Sequence, residues 1–163
     1  MDFLCSNHKK QVLLSTQTAK HYWEQWIDQG MKLMEEQSPA DALSFFGCSL
    51  DVADWLVNQS HNYHLNQLDD YFEKLTLSSF LTAECCVQVN RTDLELHFLL
   101  QLHHRLLDNT KVQRNIFWPL AGYIKQSLER IKAYVETHGE FKGYKVCLID
   151  TQQQLDKLNM ALN

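Results

Sequence analysis

The chain has 163 residues, the size of one domain, and its 45% hydrophobic and 21% charged content excludes a disordered or fibrous protein. Fifteen basic residues against twenty acidic ones leave a net charge of −5, with the basic residues scattered, which argues against nucleic acid as a partner. Five glycines and two prolines are too few for the turns and phosphate loops of a β-sandwich or dinucleotide-binding fold, so helices joined by few loops are expected.

Taken in chain order, Met1 to Cys5 lacks the basic and apolar regions of a signal peptide. A first long helix is expected to run to Glu36 from a weak start at Thr18, with Trp23, Trp26, Ile27, Gly30, Leu33 and Met34 on one stripe. Ser38-Pro39-Ala40-Asp41 opens the next helix, with Ser38 as cap and Pro39 at the first helical position. Another helix is predicted from Leu65 to Val89, weakest at Thr76-Leu77-Ser78-Ser79. Thr92-Asp93-Leu94-Glu95 reads as a capping box. The segment it opens is apolar on nearly all sides from Leu94 to Leu107, which predicts a central helix. Pro119 opens a further helix whose stripe of Ile124, Leu128, Ile131 and Val135 ends near His138-Gly139. From Phe141 to Ile149 the residues alternate, which predicts an extended connector, and Thr151-Gln152-Gln153-Gln154 reads as a second capping box. The expected fold is all-α, a single domain over 1–163 built as a compact helical bundle of five to seven helices.

Within this pattern Trp26, Gly30 and Leu33 in one helix, and Ala42, Phe46 and Ser49 in the next, resemble the tetratricopeptide repeat, a helix–turn–helix unit of interaction solenoids. The likeness spans roughly residues 23–56, and Gln29 and Asp54 stand where the family places Leu and Pro. A shift of 34 residues, the family's period, brings no second copy into register. The resemblance implies an antiparallel helix pair whose first helix lines a partner-binding surface, with Tyr22, Trp26, Gln29 and Leu33 as candidate contacts.

Eight histidines raise the question of metal. His97 and His104 lie seven apart on one helix face, and His61 and His64 would align if their segment is helical, which makes these four the alternative, metal-binding candidates. No Glu-x-x-His pair supports a di-metal carboxylate site. No Gly-rich phosphate loop, nucleophile elbow or spaced triad is present, so no catalytic residue is nominated and no cofactor is called for. Cys85-Cys86 could serve as a redox pair, yet its apolar setting beside Glu84 would raise the thiol pKa. An apolar ligand pocket around Phe98, Leu99 and Leu102 is a further alternative. Five cysteines without paired spacing, and no apolar run near twenty residues, fit a cytoplasmic protein that avoids membranes. The function expected is a small interaction module that binds a protein or peptide, or pairs with itself.

Overall fold

A computed structural model describes residues 3–59, 65–112 and 117–160. It is all-α, with seven helices among the described residues: α1 (Ser6–Val12), α2 (Thr16–Glu35), α3 (Pro39–Gln59), α4 (Leu65–Gln88), α5 (Thr92–Val112), α6 (Phe117–His138) and α7 (Tyr144–Met160). No helix among them is long and apolar enough to cross a membrane. The contacts gather into two compact units that divide within α5, residues 1–98 and 99–163.

In the first unit α3 packs on both α2 and α4. Within this unit α3 therefore holds a central place between two helices. Its sequence suits that place, because small residues (Ala42, Gly47, Ser49, Ala53) alternate with large ones (Phe46, Leu50, Leu56) around the buried surface. Gly30 of α2 is buried against Phe46, so the two helices approach closely where a side chain is absent. Trp23 turns inward and donates from Nε1 to Ser78 Oγ at 2.8 Å. Ser78 in turn lies 3.1 Å from Ser49 Oγ, itself 2.8 Å from the Phe46 carbonyl. Ser49 Oγ is the donor toward both Ser78 Oγ and the Phe46 carbonyl, so its single proton serves one of them at a time. The expected weak point at residues 76–79 does not interrupt α4. Ser79 and Thr82 donate back to the carbonyls of Leu75 and Ser78, which satisfies their hydroxyls inside the helix.

At the rim, Asp70 of α4 is gripped by Lys20 of α2 and Lys74, each at 2.7 Å. Partial burial opposes its ionisation, but the two ammonium groups outweigh that and hold its pKa below the usual range. The same ammoniums lie over the rings of Tyr71 and Trp23. The N-terminal arm is hung on α3: Asp51 Oδ2 accepts the amides of Phe3 and Leu4, both at 2.7 Å.

Helix boundaries follow local chemistry. Ser15, rather than Thr18, caps α2, its Oγ accepting from the Thr18 amide. Ser38 starts α3 as predicted, its carbonyl accepting from Ala42 with Pro39 in the first position. α2 ends in a Schellman motif with Ser38 N–H on Leu33 O and Gln37 N–H on Met34 O, Gln37 taking φ +59°. Arg91, not Thr92, offers the carbonyl that opens α5, and its guanidinium holds Asp93 with two bonds of 2.9 Å. Pro119 falls in the first turn of α6, and Gly139, at φ +88°, follows its last residue.

In the second unit α6 packs on α7. Here two expectations fail together. Residues 144–149 are helical, not extended, because Gly143 at φ +99° turns the chain and its carbonyl accepts from Cys147 to start α7. Thr151 caps nothing: it sits inside α7, fully buried, and donates to the Cys147 carbonyl. The inward stripe of α7 is Cys147, Thr151, Leu155 and Leu158, helical in spacing but only half of it strongly apolar. Exposed Val146 and Ile149 supplied the misleading alternation.

Candidate functional site

The four candidate contacts occupy α2 at steps of four, three and four residues, one edge of the helix. Tyr22 and Trp26 are half-buried, and their rings stack at a centroid distance of 5.5 Å and an angle of 39°. The His21 ring stands edge-on to Tyr22 at 6.1 Å. Gln29 is exposed one turn on. Leu33 is half-buried against the cluster of Ala42, Phe46 and Cys85, so it joins this edge to the core. The ledge is thus an aromatic pair, two polar tips and an exposed amide, backed by a buried layer that fixes its position. Glu24, Asp28 and Lys32 are exposed on the same helix, two carboxylates and one ammonium. Such an arrangement can cover a partner's apolar side chains and hydrogen-bond around them.

The histidine alternative divides. His61 and His64 lie outside the described residues, while His97 and His104 are both exposed. His97 leans edge-on against the ring of its neighbour Phe98 at 5.3 Å. Among the described residues no group of three or more His, Cys, Asp or Glu side chains could hold a metal. Of the three residues proposed to line an apolar pocket, Phe98 packs near Phe3 within the first unit, at 5.9 Å between rings. Leu99 and Leu102 are buried within the second.

His103 lies outside the predicted set, because it and its neighbour His104 leave the helix in different directions. It is fully buried, with Nδ1 2.8 Å from Ser127 Oγ of α6 and Nε2 2.7 Å from Thr151 Oγ1 of α7. One imidazole thereby ties three helices. Burial, with a smaller contribution from His104, lowers its pKa to about 4. The only available hint was a His placed within an otherwise apolar stretch, with hydroxyl residues on later helices. Of the cysteines, burial pushes Cys85 up to about 12 and Cys86 up to about 11, as their apolar setting predicted.

No family profile, curated protein or solved structure matches the chain.

Proposed function

We propose that this chain is a small helical interaction module that binds a protein or peptide along the outer edge of α2, with Tyr22, Trp26 and Gln29 as contacts and Leu33 as their support. The observation that carries the reading is the half-buried Tyr22–Trp26 pair, tilted together at 5.5 Å on a helix whose adjoining face is locked into the core. Rigid aromatic side chains with polar tips supply large contact area at small entropic cost, which is why such residues dominate binding hot spots. The exposed carboxylates of Glu24 and Asp28 favour a partner that sets basic residues beside an apolar anchor. The repeat-like sequence of α2 and α3 points the same way, since the family presents its first helix to the partner. A cytoplasmic setting belongs to this reading, because all five thiols are free.

The test places a photo-crosslinking amino acid at Gln29 and identifies what is captured by mass. Capture that falls at least about tenfold in Trp26→Ala or Tyr22→Ala, and persists in Gln153→Ala on α7, supports the reading. Capture indifferent to both aromatic substitutions overturns it.

A further inference from the structure

Three of the five thiols, Cys85, Cys86 and Cys147, are buried inside helices. Cys5 and Cys48 are placed differently. The backbone just before Cys5 hangs from Asp51 through the Phe3 and Leu4 amides, and the Phe3 ring fills the space above Gly47. Cys48 lies beside Gly47 and one turn before Asp51, so the arm crosses α3 within a turn of this thiol. Cys5 follows at once, exposed, with its Sγ 3.4 Å from Nδ1 of His8. Burial first, then Asp51 and Cys5, push Cys48 up to about 11, while amide hydrogen bonds from His8 and Asn7 lower Cys5.

We propose that Cys5 and Cys48 form a disulfide under hydrogen peroxide, locking the N-terminal arm onto α3. In the first step the Cys5 proton passes to His8 or water and the thiolate attacks one peroxide oxygen. An S–O bond forms, the O–O bond breaks, and the departing hydroxide takes a proton to become water. Cys5 is now a sulfenic acid. In the second step Cys48 loses its proton and attacks the Cys5 sulfur. The S–S bond forms, the S–O bond breaks, and hydroxide leaves with that proton as a second water. Two thiols have lost two electrons and two protons, and one peroxide has become two waters. The division of labour follows from the setting: Cys5 is accessible and reacts first, whereas half-buried Cys48 reacts only with a sulfur held beside it. A disulfide needs Cα atoms within about 7 Å, and in this proposal the Asp51 anchor is what brings the arm and α3 together to that range.

The full chain is treated with hydrogen peroxide, its remaining thiols are blocked with a maleimide, and its peptides are mapped by mass spectrometry. The expected product is a Cys5–Cys48 linked peptide, cleaved by reductant, with Cys85, Cys86 and Cys147 maleimide-labelled. Cys48→Ser should leave Cys5 as a sulfenic acid that dimedone captures. Asp51→Ala should cut the disulfide yield several-fold, although it removes a carboxylate that suppresses the Cys48 thiolate. The proposal is overturned if Cys5 links to another cysteine or to a second copy. It is equally overturned if Cys48 stays labelled at a peroxide concentration that oxidises Cys5 in Cys48→Ser, or if Asp51→Ala leaves the yield unchanged.

Discussion

A methyl group at Gly30 would run into Cε1 of Phe46, whose ring is fully buried. Overpacking of this kind costs about 1–3 kcal/mol, more than alanine recovers through helix propensity. Gly122 in α6 offers the contrast, since no heavy atom lies within 4 Å of its added Cβ. There alanine should gain about 0.5–1 kcal/mol. We therefore expect Gly30→Ala to lower the urea midpoint and Gly122→Ala to raise it; a neutral Gly30→Ala would mean that Phe46 repacks freely. Gly30 was legible as a close approach because a glycine inside an apolar stripe has few other uses. Gln37 was not. Its left-handed φ of +59° is imposed by the Schellman turn and the start of α3, and nothing in Gln itself announces it. Relieving that conformation with Gln37→Gly should stabilise the protein by roughly 0.5–1 kcal/mol in the same titration.

Between helices, the informative group is His103. Ser127 Oγ already donates to Ile124 O at 2.9 Å, and Thr151 Oγ1 donates to Cys147 O at 2.6 Å. Each hydroxyl has one proton, so both ring nitrogens would have to donate, as only an imidazolium can. Burial opposes that charge, and a neutral ring requires one hydroxyl to leave its helix carbonyl and donate to the imidazole. The folded pKa near 4 lies below the ordinary 6.5, so between these values the unfolded chain binds the extra proton. Stability therefore rises with pH across that window, by about 3 kcal/mol in total, and this contribution is complete above it. His103→Leu should flatten the dependence in urea titrations run from pH 4.5 to pH 7, roughly the span of the window. Its two hydroxyls keep their carbonyl partners, so leucine orphans neither. An unchanged pH slope in the variant would assign the effect elsewhere. The helices themselves were readable where caps and stripes agreed, as at Ser38-Pro39 and His138-Gly139. α7 was not, because its inward side carries Cys147 and Thr151 while Val146 and Ile149 face out. A hydroxyl that bonds back along its own helix has the same local sequence as one that caps it, which is how Thr151 was misplaced.

At the scale of the molecule, the α2 ledge meets a charge of −5 that any second copy shares. Repulsion between like-charged chains extends over about 10 Å at 0.1 M salt and about 3 Å at 1 M. Burial of Tyr22 and Trp26 is not screened and is if anything favoured by strongly hydrated salts. These dependences separate the two occupants that the ledge could accept. Pairing with a second copy should strengthen as sodium sulfate is raised, whereas a basic partner drawn to Glu24 and Asp28 should bind more weakly. The candidate residues were visible through the repeat-like spacing on one helix, but their exposure depends on which edge the core claims. Trp23 and Trp26 are only three residues apart, yet the first is committed to Ser78 and the second remains half-covered. For the chain alone we expect sedimentation velocity to show a monomer in dilute buffer. In concentrated sulfate it should show a shift toward larger species that Trp26→Ala abolishes. A shift of equal size in Trp26→Ala would place the self-contact on another surface, with exposed Val146 and Ile149 of α7 the next to substitute.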